Sequence, residues 1–249
     1  MQAQVASHGR STGFDRGFEL SVFDAGGAAR RVDLAHASGL VIEQLAPVRA
    51  MPTYRGQRSN QGLWWLATTA RHVGYESWLE RDHLTLLDFD PAVVGVAAQP
   101  FWLMWQHDGR PQSHAPDFFA RLADGGGVVV DVRPAGRVRP RDALAFEATR
   151  QACDLTGWQY RLVHEPDPVR MANVRWLAGF RHPRCRRTDL AAAVTEVFRE
   201  PLGLLAGAGR VGDPLVCLPN VYHLLWTGVL ATDLAVPLSE RSPVQAASG

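Results

Sequence analysis

The chain has 249 residues, 46% of them hydrophobic and 20% charged, and a net charge of +1. It holds no apolar run near the roughly 18 residues of a membrane span, no apolar stretch in its first fifteen residues, and three scattered cysteines, Cys153, Cys185 and Cys217. These features are expected to exclude membrane, secreted, fibrous and disulfide-framed classes, and they lead to an expected cytoplasmic globular protein.

All 26 basic residues are arginine, and lysine is absent. Compositional bias accounts for this. Its chemical consequence is that every task normally given to a lysine amine falls to arginine here.

Residues 1–17 and 239–249 read as loose ends. Residues 18–70 read as short strands, with Gln61 to Thr69 strand-like through Leu63, Trp64, Trp65 and Leu66. Residues 76–89 read as a helix capped by Ser77, with Leu79, His83, Leu86 and Leu87 at helical spacing and Asp90-Pro91 as the stop. Val93 to Val96 and Phe101 to Trp105 read as strands. The tryptophans Trp64, Trp65, Trp102 and Trp105 suit sheet packing better than base stacking.

His114-Ala115-Pro116 leads into Asp117-Phe118-Phe119-Ala120-Arg121-Leu122. A glycine-rich turn follows, and then Val128-Val129-Val130-Asp131-Val132-Arg133. This is a hairpin pattern. Pairing symmetric about Gly125 sets Asp117 opposite Arg133, with Asp131 on the same face as Arg133. His114 reads as a loop residue. A helix from Asp142 to Leu155, with Leu144, Ala148, Ala152 and Leu155 on one stripe, ends at Gly157, and a strand runs from Trp158 to Val163.

A boundary is expected near residues 184–188. Beyond it, Leu190 to Phe198 reads as an amphipathic helix, Pro219 to Trp226 as a second, and Val229 to Val236 as a β wing. The expected domains are 18–185, an α/β layer with a mixed sheet, and 186–249, a small helical module of winged-helix type.

Charge is segregated along the chain. Residues 76–131 carry nine acids against three arginines, and residues 133–187 carry twelve arginines against five acids. An acidic segment beside a basic one suits a metal-dependent enzyme on a polyanion, and it also suits an ordinary solvated surface. Arg137 and Arg141 follow the second hairpin strand. Arg184, Arg186 and Arg187, with Arg181 and His182, form a cluster that suits either phosphate contact or a solvated linker. His182 and Cys185 have ligand-like spacing but no second pair.

Pro116-Asp117 followed by Asp131-Val132-Arg133 resembles the PD-(D/E)xK signature of restriction-endonuclease-like nucleases, with arginine in the lysine place. Phosphodiester hydrolysis needs an activated water and stabilised phosphate charge, which hard oxygen ligands around magnesium supply. Upstream, Ser77-Trp78-Leu79-Glu80, then Leu86-Leu87-Asp88-Phe89, then the strand reaching Gln99, occur in the order and spacing of the TnsA family of heteromeric transposase endonuclease subunits. The resemblance covers about residues 60–165.

The resemblance implies a restriction-endonuclease-like core and a magnesium site, with manganese as a substitute, built from Glu80, Asp117, Asp131 and the Val132 carbonyl. Arg133 stands beside them in the lysine position. Glu76 is the second helix carboxylate to consider, against a plain helix-start acid. The resemblance also implies double-stranded DNA at transposon ends as substrate, a DDE-type transposase partner and an AAA+ ATPase regulator. A homodimer is left open. Arginine stays protonated and cannot act as a general base. The readings left open are a transposon-end nuclease, a stand-alone restriction or repair nuclease, and a pseudo-nuclease kept for assembly.

Overall fold

The structure, a computed structural model, describes residues 14–24, 26–50 and 60–247. Strands β1 (Phe14–Phe23) and β2 (Ala29–Asp33) form a hairpin, followed by two 3-10 turns, Leu34–Gly39 and Ile42–Gln44. Strands β3 (Gly62–Leu66) and β4 (Arg71–Tyr75) form a second hairpin that leads into helix α1 (Trp78–Phe89). Five strands follow: β5 (Val93–Ala98), β6 (Trp102–His107), β7 (Arg110–His114), β8 (Phe118–Leu122) and β9 (Gly127–Val132). Helix α2 (Pro140–Thr156) joins β9 to β10 (Gln159–Val163), and helix α3 (Pro168–Ala178) comes next. The remainder is α4 (Thr188–Val197), β11 (Leu202–Gly203), α5 (Leu204–Val211), α6 (Pro214–Trp226), β12 (Leu230–Ala231) and β13 (Pro243–Ala246).

The architecture is mixed α/β. A central sheet of order β10-β9-β8-β5 is parallel only between β9 and β10. That parallel pair needs a crossover, and α2 is the crossover. One face of the sheet, through Phe119 and Val129, packs with Ala148, Ala152 and Cys153 of α2 and with Leu20, Val22 and Leu103 of a second sheet, β2-β1-β6-β7. The other face, through Phe118, Ala120, Val128 and Val130, packs with Leu84 and Leu87 of α1 and with Leu66 and Val73 of the β3–β4 hairpin. Both faces are covered, which explains why β9 is an unbroken apolar run up to Asp131.

Local chemistry sets the helix ends near the site. Ser77 caps α1, its hydroxyl accepting from the Glu80 N–H at 3.2 Å. Pro140 opens α2 at its first turn, and Gly157 closes it at φ 74°.

The hairpin register differs from the expected one. Phe118 pairs with Val130 and Arg121 with Gly127, so the pairing centres on Asp124, and one step further Asp117 faces Asp131. The tight turn uses residues 122–125, with the Gly125 N–H bonded to the Leu122 carbonyl, rather than a turn centred on Gly125. Asp131 and Arg133 do share a face, as period two demands.

Other expectations shift as well. Leu155, on the expected stripe of α2, is 72% exposed, and Phe146, Thr149 and Cys153 are buried instead. Strand β7 was unexpected, because Arg110-Pro111-Gln112-Ser113-His114 has no apolar pattern; it is an edge strand. Helix α5 was also unexpected, because its glycines lower helix propensity. Gly207 explains its placement, since a Cβ there would sit 2.2 Å from the Phe198 ring.

The ends are more ordered than expected: β1 begins at Phe14, and Pro243–Ala246 is the middle strand of a sheet β11-β13-β12. The wing expected over 229–236 contributes only Leu230 and Ala231 to that sheet. Residues 1–13 and 248–249 lie outside the described residues. Around this small sheet, α3 shares one buried cluster with α4, α5 and α6. Packing therefore runs across the expected boundary at 185/186. Helix α6 is the buried centre of that cluster, with Val221, Leu224 and Trp226 inside it.

Candidate active site

Four of the expected site residues meet at one end of the central sheet. Asp117 stands just before β8, Asp131 near the end of β9, Arg133 just past it, and Glu80 in the first turn of α1.

Asp117 is buried. Its Oδ2 accepts from the Val132 N–H at 2.7 Å and from Arg133 Nη1 at 3.2 Å. No described residue donates to its Oδ1. Burial pushes its carboxyl up to about 8, and the charges of Asp131 and Glu80 push the same way. Arg133 and the Val132 N–H offset only part of this.

Asp131 is completely buried. Its Oδ1 lies 2.8 Å from His114 Nε2, and its Oδ2 accepts from the Tyr160 hydroxyl at 2.9 Å. Burial and the Asp131 charge push the Tyr160 hydroxyl above its ordinary range, so it remains a donor. His114 is therefore a strand-end partner of Asp131, braced edge-on against Phe146, rather than a loop residue.

Arg133 reaches back along its own backbone. Nη1 donates to the Val132 carbonyl at 2.7 Å as well as to Asp117, and the guanidinium carbon lies 5.5 Å from the Phe146 ring centroid. Its backbone is fixed from behind. The Arg133 N–H bonds to the Val163 carbonyl, and the Arg133 carbonyl lies 2.7 Å from His164 Nδ1.

Glu80 has a second role in the cap of α1. It accepts from the Glu76 N–H at 2.7 Å and from the Ser77 hydroxyl at 3.0 Å. Burial raises its carboxyl above the usual range, against those hydrogen bonds. Glu76 lies before the cap, outside the helix, and is part-buried. It accepts from Gln99 Nε2 at 2.8 Å and pairs with Arg49 at 2.9 Å.

Gln99 holds the site from below with a left-handed backbone, φ 45°. Its N–H donates to the Asp117 carbonyl at 2.9 Å, so it fixes the chain just before β8.

These donors were tested as a magnesium ligand set. Both oxygens of Asp131 are engaged, Glu80 is turned into its cap, and Arg133 bridges Asp117 and the Val132 carbonyl. Among the described residues, no three His, Cys, Asp or Glu side chains are grouped to hold a metal ion. As arranged, the four donors do not fit a divalent cation.

The arginines expected to contact DNA differ in exposure and pairing. Arg137 is exposed in the loop after β9, and Arg141 is exposed beside Asp142 at 3.6 Å. Arg184 and Arg186 are exposed and make no ion pair with a described residue. Arg187 is paired with Asp189 at 2.6 Å. Arg181 faces inward, 4.1 Å over Trp64 and bonded to the Trp65 carbonyl, and burial lowers its guanidinium from the ordinary value. His182 stacks on Trp65 and caps the 3-10 turn Pro183–Cys185.

Sequence reasoning missed Tyr160 and undervalued His114. The available signal was a polar residue on an otherwise apolar inward face, next to a buried carboxylate.

No protein-family model matches the chain, and no curated protein matches it at a significant level. The function therefore rests on the site itself.

Proposed function

We propose that this chain is a DNA endonuclease subunit of a TnsA-like transposition system, hydrolysing phosphodiester bonds at the 5′ ends of the element alongside a DDE-type transposase and an AAA+ ATPase regulator. The observation that carries this reading is the meeting of Glu80, Asp117, Asp131 and Arg133 at one end of the mixed sheet. The order α1, β5, β8, β9, α2, β10 supports a restriction-endonuclease-like core. The partners, the transposon-end duplex and the magnesium or manganese requirement come with the resemblance.

The chain's own groups suit phosphate chemistry. Arg133 is 31% exposed and has donors beyond Nη1, so it can hold a phosphate oxygen. Asp117 Oδ1 accepts nothing from the described residues, and once the carboxyl, raised by burial, has lost its proton it can take one from an attacking water. His114 and Tyr160 hold Asp131 rigid behind it.

A second reading, a pseudo-nuclease kept for assembly, is favoured by one observation: Arg133 lies across two of the four metal donors. Nicking of supercoiled plasmid with magnesium or manganese, alone and with a DDE-type transposase as partner, separates them. Cleavage that is lost in Asp117→Ala supports the endonuclease, and cleavage without the partner supports a stand-alone nuclease. A folded, partner-bound protein that never cleaves supports the assembly subunit.

A further inference from the structure

We propose that His164 takes the proton from the attacking water when the phosphodiester held by Arg133 is hydrolysed. This inference rests on the nuclease reading and names a base for its reaction.

Four observations carry it. First, the register brings His164 to the site. Val163 pairs with Val132 in the parallel ladder of β10 and β9, and the Arg133 N–H bonds to the Val163 carbonyl, so His164 stands beside Arg133 one step on. Residues side by side in a sheet project from one face, here the face on which Tyr160 reaches Asp131. Second, the ring is held in one tautomer. A carbonyl only accepts, so across the 2.7 Å to the Arg133 oxygen Nδ1 carries the hydrogen. The neutral ring then has its lone pair on Nε2. No described residue is bonded to Nε2, and His164 is exposed, so water reaches it. Third, the backbone of His164 is fixed. Its carbonyl accepts from His83 Nε2 at 2.6 Å, and burial lowers His83 from its ordinary value, so that ring stays neutral. Fourth, the other groups of the site are engaged. Asp131 has both oxygens bonded, and Glu80 is bonded into its cap. Arg133 cannot give up its charge. Asp117 has to lose a proton retained by burial before it can accept one.

The sheet order sets the direction of attack. Strand β9 lies between β8 and β10, so a phosphate held by Arg133 has Asp117 on one side and His164 on the other. An in-line displacement likewise sets the attacking and leaving oxygens on opposite sides of phosphorus. With the water on the β10 side, its oxygen bonds to phosphorus and its proton passes to Nε2. The bond to the 3′-oxygen breaks, and that oxygen keeps the electron pair and takes a proton from solvent. The imidazolium then returns its own proton to solvent.

The test is nicking of supercoiled plasmid by the full chain, with a DDE-type transposase as partner, under the conditions in which wild type cleaves. His164→Asn is the decisive variant, because its amide keeps a donor for the Arg133 carbonyl and offers no base. It should nick about 10²–10⁴-fold more slowly than wild type, while its binding of a short duplex, read by fluorescence anisotropy, stays unchanged. His164→Ala should be as slow and should recover part of the rate when imidazole is added to the buffer. A wild-type rate in His164→Asn overturns the proposal, and so does a His164→Ala variant that imidazole does not help. A loss of nicking matched by an equal loss of duplex binding also overturns it, because His164 would then only hold Arg133 in place. Circular dichroism checks that each variant is folded. Any of these results with cleavage still abolished in Asp117→Ala leaves the endonuclease reading standing, whereas a wild type that never nicks removes both.

Discussion

The Tyr160 hydroxyl donates to Asp131 Oδ2 from a strand lying parallel to β9, where Tyr160 pairs with Val129, two residues before Asp131. With His114 on the other oxygen, Asp131 is the anchor of the site, and its carboxylate faces protein on both sides. Removing either partner leaves a buried acceptor short of its donor. Tyr160→Phe and His114→Ala should each lower stability by about 1–3 kcal/mol. In the double variant the losses should not add, because both act on one carboxylate. Urea unfolding measures all three, and strict additivity would show that the two bonds act independently.

Asp117 gives the protein a pH dependence with a definite sign. Its carboxyl is raised in the folded state to about 8 from an ordinary 3.8, first by burial and then by Asp131 and Glu80. Between those limits the native state binds the extra proton, so stability falls as pH rises and levels off above about pH 8. Asp117→Asn removes this slope. In chelator-treated protein, the variant should gain on wild type steadily from pH 5 to about pH 8 and level off above it, by an amount on the order of a few kcal/mol. Parallel stability profiles for the two proteins would contradict this.

Asp88 holds the β3–β4 turn to α1. Its carboxylate accepts from the Ala67 and Thr68 N–H groups, the Thr68 hydroxyl and Trp64 Nε1. Asp88→Ala leaves those donors unmatched and should cost ~3 kcal/mol or more. Hydrogen exchange should accelerate first at the Ala67 and Thr68 amides. Unchanged protection there would show that the turn is held by other contacts.

Gly127 opens β9 beneath two aromatic rings. A Cβ at this position would lie 2.7 Å from Trp158 Cδ1 and 2.8 Å from the Phe119 ring. Gly127→Ala should destabilise the protein by about 1–3 kcal/mol through overpacking. Thermal unfolding compared with Gly109→Ala, a site with open space around its Cβ but a left-handed backbone, separates crowding from backbone strain.

The parts of this molecule visible in the sequence are those set by local rules. Ser77 and Glu80 announce the start of α1, Gly157 the end of α2, and the valine run of β9 a strand buried on both faces. The convergence of Asp117, Asp131 and Arg133 was legible because period two places alternate residues on one face. What stayed hidden depends on the partner. The hairpin register turns on which of several turn-forming residues close the loop, and a shift there moved Asp117 from Arg133 to Asp131. His114 and Tyr160 came into the site through β7 and β10, strands whose neighbours are set by the sheet rather than by their own residues. Helix α5 exists because Phe198 needs the gap at Gly207, a tertiary demand that outweighs propensity.

Strand β1 sits between β2 and β6, with Leu20 beside Leu103. During synthesis β2 reaches β1 at once, but β6 emerges only after α1 and β5 have been made. Over that interval one edge of β1 is unpaired, and Phe18, Leu20 and Val22 have only Leu34, Ala37 and Ile42 of their core cluster available. An apolar strand with an open edge is a template for pairing with another chain. The nascent protein therefore needs shielding at β1, and its yield in the cell should depend on how quickly β6 follows.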